Sequence, residues 1–543
     1  MTIRSSSFPI LYLQKSAVVI LFALPLLFLF LWIRVFPLGL VDDAYIPMVY
    51  ARNIAHGFGI VFEPGGERVE GFTSPLWSAL LTLSALLRLP LPSCAYWMGL
   101  AGSVAVLILI PILYRHAFYR DTPTTFFSPY FWPGMASLAV VFDAAFVAWS
   151  ASGMETSGYT AILLGLVLLL INPKQDFFIA LLLLVLTFLR PEGVLFLIPI
   201  AAVRFRQKKI TAQSVWNYLV FFGLPMAAFL IFRYAYFGYF LPNSFYAKHD
   251  FGGWALLERG TAYVLTFLRP RLIFGFAILW GLLEKGEKRK NGGILALLAL
   301  TQIIAVALEG GDHFALHRFL VPVIPIFSIL AVRGLERVCE LMVLEKIKSK
   351  RGFQYILLQA VIPIFVLGLF YSHGTQLFEY KADDTYHFSN GARWHLSEVS
   401  WAKNWAQVGK WLKQKYPPNT VIAVITAGAI PYYSELRCVD ILGINNVTIA
   451  HTPARDTTRR YTGHEKSNPD YVLERKPRMI QLFPLLFFTS NPYPESKTAE
   501  LIAYPAQQDL INHPQFRAMY RYKTDETPYG FISYYERLNS DND

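Results

Sequence analysis

The chain carries long uninterrupted runs of apolar side chains, and these runs constrain its fold more than any other feature. Examples are residues 18–32, 161–171 and 179–189. Hydrophobic residues make up 54% of the 543 positions and charged residues only 16%, whereas a typical soluble domain has about 25% charged residues. Repeated apolar blocks of this length are typical of membrane-spanning helices. The sequence therefore predicts a mainly α-helical, polytopic membrane protein.

The apolar blocks divide into about eleven candidate transmembrane helices. They are 16–37, 94–114, 131–150, 156–171, 176–190, 191–203, 214–237, 260–283, 291–309, 318–333 and 354–372. The charges of the connecting loops argue against a membrane crossing by a further apolar segment, 74–89. If it does not cross, the basic clusters between the spans all fall on the cytoplasmic side together with Arg4 and Lys15, as the positive-inside rule requires. We expect 74–89 to lie at the interface, with the N-terminus cytoplasmic and the C-terminus outside.

Six polar insertions interrupt the hydrophobic pattern, and the predicted topology puts all of them on the outer face. They are DDAY (42–45), GERVEGFTSP (66–75), SGMETS (152–157), LRPEG (189–193), LPNSFYAKHD (241–250) and EGGDHFALHRF (309–319). Ionisable groups near membrane depth are costly and usually mark functional sites. We therefore predict a single cavity assembled from the ends of several helices.

The composition changes near residue 373, where the long apolar runs stop. Segment 401–416 reads as an amphipathic helix, 420–426 and 437–443 as strands, and 470–482 as a helix followed by a strand. This alternation predicts a transmembrane module over 1–372, with a first outer loop at 38–93, and an extracytoplasmic α/β domain over 373–543. Its position suggests a role in binding the acceptor.

Several function classes are excluded. The net charge of +12 comes from loops between apolar blocks and not from a basic stripe, so no nucleic-acid partner is expected. The three cysteines, Cys94, Cys339 and Cys438, have no metal-ligand spacing. The glycine-containing run GFGIVFEPGGE follows no strand and lacks a P-loop lysine, so it is not a nucleotide site.

The ordered motifs resemble those of the GT-C superfamily of membrane glycosyltransferases. The first-loop sequence DDAYIPMVYARNIAHGFGIVFEPGGERVEGFTSPLW is similar to that of the branch containing the mycobacterial terminal arabinofuranosyltransferases and related bacterial proteins. The motifs SGMET, RPEG, PNSFYAK, GGDHF and AGAIPYYSELRCVDILGINN follow in the same order as in that branch. The resemblance implies an enzyme that uses a sugar carried on a polyprenyl phosphate and works at the non-cytoplasmic face.

Asp42 and Asp43 are the candidate catalytic base. Transfer of a sugar from a polyprenyl phosphate requires a group that takes a proton from the acceptor hydroxyl. Two adjacent carboxylates repel each other, so the pKa of one should rise, which makes it a better base near neutral pH. The resemblance also implies a base in this first outer loop. The alternative is that one Asp only caps the following helix.

The departing phosphate and the sugar need charged and hydrogen-bonding partners. The candidate substrate-binding residues are Arg68, Glu70, Glu155, Arg190, Glu192, Asn243, Tyr246, Lys248, Asp312, His313 and Arg318. Arg190 suits a lipid-linked phosphate because its guanidinium binds two oxygens at once. Each candidate also has a structural explanation, such as a solvated loop for Arg68 and Glu70, a self-paired turn for Arg190 and Glu192, or a cation at the headgroups for Lys248 and Arg318.

A divalent cation is a candidate cofactor, because Asp42, Asp43 and Glu155 offer the oxygen ligands that Mg²⁺, Mn²⁺ and Ca²⁺ prefer. Basic side chains could instead neutralise the phosphate without a metal. The sequence leaves this choice open.

Together these features predict an inverting glycosyltransferase in the bacterial plasma membrane. It would move a sugar, with arabinofuranose one candidate, from a polyprenyl-phosphate donor to a glycan or lipid acceptor of the cell envelope. The rival class is a transporter or flippase of lipid-linked sugars. A transporter keeps its site near the membrane midplane, whereas the ionisable residues here collect at one face.

Overall fold

The computed structural model describes most of the chain. The described residues are 23–119, 130–172, 176–248, 253–349, 353–378, 391–454, 463–498 and 504–538. Arg4 and Lys15, which contributed to the topology prediction, lie outside them. Up to residue 378 the described chain is almost entirely helical, and from 391 helices alternate with short strands. The predicted fold class, mainly α with a smaller C-terminal α/β part, is confirmed.

The helices of the first part follow the predicted spans closely. In chain order they are α1 Ala23–Val35, α2 Ile46–Ala55, α3 Pro75–Leu86, α4 Leu91–Phe118, α5 Phe131–Val141, α6 Ala144–Ser150, α7 Thr156–Ile171, α8 Asp176–Leu189, α9 Leu197–Arg206, α10 Ala212–Tyr218, α11 Leu224–Phe237, α12 Asn243–Lys248, α13 Gly253–Leu268, α14 Gly275–Leu282, α15 Gly286–Leu308, α16 Val323–Ser349 and α17 Phe353–Phe378. Short 3₁₀ segments occupy Asp42–Tyr45, Pro191–Phe196, Arg269–Phe274 and Arg318–Leu320. A π-helical segment, Leu219–Gly223, joins α10 to α11.

Four helical stretches in the described residues are long and apolar enough to cross a membrane, so the chain is an integral membrane protein. They are Leu91–Phe118, Ala212–Phe237, Gly253–Leu282 and Gly286–Leu308. The pair α5–α6 adds a fifth if it is one span, but it bends by 72°. The predicted number of about eleven therefore remains a prediction. Helix α3 has 12 residues and is only about 18 Å long, which is too short to cross alone.

Close backbone contacts at glycines hold the membrane helices together. A Cβ at Gly334 in α16 would lie 1.8 Å from the carbonyl oxygen of Ala277 in α14, and a Cβ at Gly260 in α13 would lie 1.9 Å from that of Ala307 in α15. Lipid gives helices little hydrophobic reason to associate, so small residues that let backbones approach are a major source of packing energy. The close contact within each of these helix pairs therefore requires glycine, because any larger residue would carry a Cβ that clashes.

The C-terminal α/β region, residues 391–538, contains a five-stranded sheet. Its helices are α18 Ala392–Lys415, α19 Ala429–Ser434, α20 Val447–Ala450, α21 Pro469–Glu474, α22 Pro505–Asn512 and α23 Pro514–Met519. Its strands are β1 Val421–Val424, β2 Arg437–Asp440, β3 Met479–Gln481, β4 Tyr520–Thr527 and β5 Gly530–Arg537. The strand order is β2-β1-β3-β5-β4. Strands β1, β2 and β3 are parallel, and β5 runs antiparallel to both β3 and β4.

The elements predicted for this region are confirmed. Helix α18 buries Trp405, Val408 and Leu412 on one side, and the two predicted strands correspond to β1 and β2. The last 60 residues, which gave no prediction, supply the hairpin β4–β5. Helix α17 runs past the predicted domain boundary at 372/373 and ends at Phe378, and that boundary remains a prediction.

We predict that Gly334→Ala lowers the thermal midpoint of the detergent-solubilised protein, because the new methyl group forces α14 and α16 apart at a cost of about 1–3 kcal/mol. Gly293→Ala is the matched control, since Gly293 is also helical and its Cβ would meet nothing within 4 Å. Gly293→Ala should leave the midpoint unchanged or raise it slightly. Equal midpoints for the two variants would contradict the proposed packing role.

Candidate active site

Asp42 and Asp43 lie on the 3₁₀ segment Asp42–Tyr45, between α1 and α2. The SGMET loop packs against this segment and its flanking residues. The Val41 N–H donates to the Ser152 carbonyl at 3.2 Å, and Gly153 packs against Leu40 and Ala44, where a Cβ would come within 2.7 Å of Leu40. Two of the predicted outer loops therefore do meet, and the acids are held at their contact.

The Asp42 carboxylate binds the C-terminal region. It accepts hydrogen bonds from the backbone N–H groups of Gly428 (3.1 Å) and Ala429 (2.7 Å) at the start of α19. Burial raises the pKa of Asp42 to about 7, with a further contribution from the neighbouring Asp43 carboxylate, against the two N–H donors that lower it. The predicted rise in one pKa of the pair is therefore found at Asp42.

The Asp43 carboxylate has no such backbone partners in the described chain. Its Oδ2 lies 3.8 Å from Nη2 of Arg318, and its side chain remains 23% exposed. Asp43 contributes to the walls of two separate cavities, which we call the sheet cavity and the loop cavity. It therefore stands where the two cavities meet.

The sheet cavity, of about 960 Å³ including its open mouth, lies between the membrane part and the C-terminal region. Helix α18 contributes Trp394, Glu398, Trp401 and Trp405, and the ends of the parallel strands contribute the opposite wall. The lining is completed by Asp42, Asp43, Ile46, His313, Phe314, Ile425, Thr426, Ala427, Asp440, Leu442, Ile444, His464, Phe483, Leu486 and Tyr504.

The loop cavity, of about 510 Å³, is built from the outer loops of the membrane part. Its polar lining comes from Asp43, Thr73, Ser74, Glu155, Ser244, Lys248 and Arg318. Lys248 forms no ion pair with any described carboxylate. The loop cavity therefore carries two cations near Asp43, whereas no Lys or Arg of the described chain lines the sheet cavity.

Arg318 is fixed by an ion pair with Asp312 and by stacking on Phe314 (4.7 Å) and Phe319 (5.0 Å). Burial alone would raise the pKa of Asp312, but the Arg318 guanidinium and His313 hold that pKa well below its usual range. Nη1 of Arg318 has no hydrogen-bond partner within the described residues. Arg318 also lines the loop cavity.

The remaining predicted residue of the GGDHF motif, His313, lines the sheet cavity. Its ring packs on Phe314, with the ring centroids 4.2 Å apart. Of the predicted set, the structure therefore gathers Asp42, Asp43, Glu155, Lys248, His313 and Arg318 around the two cavities, with Asp312 directly behind.

Arg190 and Glu192, which the sequence analysis expected to bind the substrate, lie in a buried cluster. Arg190 pairs with Glu155 at 2.9 Å and with Glu192, and its guanidinium lies 3.8 Å from the Phe319 ring centroid. Neither Arg190 nor Glu192 lines either cavity. The self-paired turn, which was the structural explanation, describes them better.

Four other predicted residues hold the outer loops against neighbouring structure and also line neither cavity. Glu70 forms a buried ion pair with Arg233 of α11, at 2.7 Å, and Arg68 stacks on Tyr236. Nδ2 of Asn243 donates to the carbonyl groups of Gly443, Ile444 and Asn446. The Tyr246 ring packs against His451, with the centroids 4.4 Å apart.

The three carboxylates predicted to hold a metal do not form a metal-binding cluster. The described part of the chain has no group of three or more His, Cys, Asp or Glu side chains arranged to bind an ion. Asp42 is bonded to backbone N–H groups and Glu155 to Arg190. The residues do not fit the predicted site, and no metal-dependent step is derived from them.

Several cavity residues escaped the sequence analysis, above all Glu398, Asp440 and His464. Trp394, Glu398, Trp401 and Trp405 follow one another at spacings of four, three and four residues, which puts them on one face of α18. An acid inside an otherwise aromatic stripe was the available signal for Glu398. Asp440 and His464 carried no comparable signal, because their positions depend on how the sheet docks.

Comparison with known proteins supports the fold. A family model described as a domain of unknown function, DUF8728, matches residues 392–538. No curated protein sequence matches the chain. ArnT from Cupriavidus metallidurans bound to undecaprenyl phosphate is 11% identical, with a TM-score of 0.55 and 98% of both chains covered. The apo state of the same protein gives a TM-score of 0.51 at 12% identity, again over 98% of each chain.

The arabinofuranosyltransferase AftD from Mycobacteria matches more weakly, with a TM-score of 0.41, 13% identity, and 78% of this chain and 33% of that chain covered. A score at this level carries no argument for the donor sugar. The match to ArnT extends over the whole chain, and its fold is that of the GT-C glycosyltransferases. The chain therefore has the GT-C fold, as the sequence motifs predicted.

We predict that Glu70→Ala lowers the thermal midpoint substantially, because it leaves Arg233 buried without its partner, at a cost of about 3–5 kcal/mol. Glu287→Ala is the control, since Glu287 pairs with Lys290 at the surface, where both side chains are about two-thirds exposed and the pair is worth at most about 1 kcal/mol. Thermal melts in detergent compare the two. An unchanged midpoint for Glu70→Ala would show that the ion pair does not hold the loop.

Proposed function

We propose that this protein is an inverting glycosyltransferase that moves a sugar from a polyprenyl-phosphate donor to a glycan or lipid acceptor at the extracytoplasmic face. The observation that carries the proposal is the position of Asp43 between two cavities of different charge. The loop cavity, with Lys248 and Arg318, suits a phosphate. The sheet cavity, without Lys or Arg in the described chain, suits the acceptor.

The geometry supports a single displacement. Asp43 takes the proton from the acceptor hydroxyl, and that oxygen forms a bond to the anomeric carbon on the face opposite the phosphate. The bond between the anomeric carbon and the phosphate oxygen breaks, and its electron pair leaves with the lipid phosphate. Lys248 and Arg318, which line the loop cavity, neutralise the departing charge. The carboxylate also compensates the positive charge that develops on the sugar.

The raised pKa is that of Asp42, but Asp42 acts as a positioning residue in this scheme, because both of its oxygens already accept hydrogen bonds from the N–H groups of Gly428 and Ala429. This assignment separates the two acids that the sequence could not tell apart. Asp43 is the catalytic base, and Asp42 ties the base-bearing segment to the C-terminal region.

The fold supports the proposed donor carrier, and the charge pattern supports the proposed location. The ArnT structure that shares the fold is bound to undecaprenyl phosphate, which supports a polyprenyl phosphate as the carrier here. The positive-inside pattern supports a plasma-membrane protein with its N-terminus in the cytoplasm and residues 373–543 outside. Arabinofuranose remains one candidate among donor sugars.

We predict that Asp43→Asn abolishes sugar transfer while the protein remains folded, since an amide cannot take the acceptor proton. Asp42→Asn should retain part of the activity, because the amide oxygen can still accept one of the two N–H groups, but it should lower the thermal midpoint. The assay measures transfer in membranes from a panel of radiolabelled polyprenyl-phosphate sugars. Full activity of Asp43→Asn would overturn the base assignment.

The same panel distinguishes the transporter alternative. If the wild type turns over no donor but moves lipid-linked sugars across proteoliposome membranes, the protein is a flippase. If the wild type transfers sugar, transport of lipid-linked sugars is excluded as its main activity. A reporter fused after residue 378 tests the orientation, and a cytoplasmic signal would contradict an extracytoplasmic site.

We also predict that Lys248→Gln raises the KM for the polyprenyl-phosphate donor by about tenfold, the effect of losing one charge-assisted hydrogen bond, with the KM for the acceptor unchanged. Lys403→Gln is the control, because Lys403 is exposed on α18 and lines neither cavity. Steady-state kinetics with each substrate varied in turn provide the measurement. A change confined to the acceptor KM would place the phosphate elsewhere.

A further inference from the structure

The sheet cavity lies where parallel α/β sheets usually bind ligands. Strand β1 lies between β2 and β3. The chain therefore continues from β1 to β2 on one side of it and later adds β3 on the other side. The carboxyl ends of β1 and β3 therefore form a topological switch point, which is the usual ligand crevice of such sheets. Thr426 directly after β1 and Phe483 after β3 both line the cavity. The position alone favours a bound ligand.

An aromatic wall forms one side of this cavity. Trp401 packs edge-on against Trp394, with centroids 5.4 Å apart, and lies 6.3 Å from Trp405. Phe483 stands 6.4 Å from Trp401. Such flat faces present their negative π charge to weakly positive C–H groups. The apolar C–H face of a sugar ring is a ligand surface of matching shape and polarity.

Buried hydrogen-bonding atoms next to this wall lack partners. Among the described residues, Nε1 of Trp405 and Oγ1 of Thr426 make no hydrogen bond, whereas Oε2 of Glu398 lies 3.7 Å from Nδ1 of His395. Trp405 and Glu398 are each only 8% exposed. An unsatisfied buried donor or acceptor costs about 1–3 kcal/mol, so a group of them in one cavity indicates that a polar ligand or water completes the bonds. They include both donors and acceptors, as hydroxyl groups require.

The charges of the cavity favour an uncharged ligand, because no Lys or Arg of the described chain lines it. Its ionisable lining consists of Asp42, Asp43, Glu398 and Asp440 with His313 and His464. Burial raises the pKa of Glu398 well above its usual range, and the Asp312 and Asp43 carboxylates raise it further. Asp440 accepts hydrogen bonds from the backbone of Leu442 and from Asn445. An uncharged polyhydroxyl ligand suits this lining better than a phosphate, which would meet no Lys or Arg of the described chain there.

We infer that the sheet cavity binds the acceptor and that the acceptor presents an uncharged sugar ring there, stacked on the aromatic wall of α18 with one hydroxyl directed to Asp43. This inference rests on the proposed transferase function and narrows its acceptor from a glycan or lipid to a carbohydrate. Trp405 and Thr426 would select the ring through the hydrogen bonds that they do not make within the described part of the protein.

The test uses the full chain in lipid nanodiscs and the double variant Trp405→Phe/Thr426→Val. It removes two hydrogen-bonding groups, keeps the shape of residue 426 and replaces the Trp405 indole with a smaller aromatic ring. The probe is a panel of uncharged methyl glycosides and short oligosaccharides of hexoses and pentoses. Binding without donor is measured by saturation-transfer NMR, and transfer is measured with each substrate varied. Trp411→Phe is the control, because Trp411 is on the same helix but packs against Phe488 and Tyr534 outside the cavity.

We expect the double variant to raise the dissociation constant and the acceptor KM by about tenfold, as the loss of one to two hydrogen bonds would, with the donor KM unchanged. Trp411→Phe should behave as the wild type. Equal acceptor constants in both variants, or turnover of anionic or lipid acceptors only, would overturn the inference and leave the transferase function standing. Sugar binding that depends on Trp405 and Thr426 without turnover of any donor would support the sugar site and overturn the transferase function.

Discussion

The candidate site depends on one contact between distant parts of the chain, the docking of the first outer loop onto the carboxyl ends of the C-terminal sheet. The Asp42 carboxylate accepts hydrogen bonds from two backbone N–H groups there. This close approach requires glycine at position 428, because a Cβ would lie 2.0 Å from the Asp42 carbonyl oxygen. A second connection runs from Asp440 through Asn445 to the Tyr50 hydroxyl. Without these contacts the sheet cavity would lose one wall, and Asp43 would have no acceptor side.

The cost of burying charge sorts the ionisable residues into two groups. A buried cation beside a carboxylate, such as Arg190 with Glu155 or Arg233 with Glu70, is already compensated and can hold loops in place. A cation without such a partner gains most from an incoming anion. Lys248 belongs to this second group within the described chain. Pairing therefore separates Arg190 and Arg233 from Lys248, while Arg318 is paired with Asp312 and also lines the loop cavity.

Sequence patterns predicted the elements well because apolar runs and amphipathic spacing are local properties. Helix α7 lies at the predicted 156–171, and the amphipathic face of α18 is buried as expected. The site was predictable only in part, since the sequence shows which polar residues lie at helix ends but not which of them pair. Arg190 and Lys248 looked equivalent as phosphate ligands, and only the fold shows that Arg190 meets two carboxylates. Asp440 was missed because the sheet brings it to the cavity from far along the chain, whereas Glu398 had a local signal, an acid within the aromatic stripe of α18.

The different surroundings of two adjacent acids follow from the local geometry of their segment. Asp42 and Asp43 lie on a 3₁₀ turn, in which successive side chains project about 120° apart. One acid can therefore face the C-terminal region while the next faces the cavities. In an extended strand the two would point to opposite faces, and the N–H groups that hold Asp42 could not stand beside the cavity that Asp43 lines. The short turn thus lets one carboxylate fix the docking of the two parts while its neighbour remains free for chemistry at their junction.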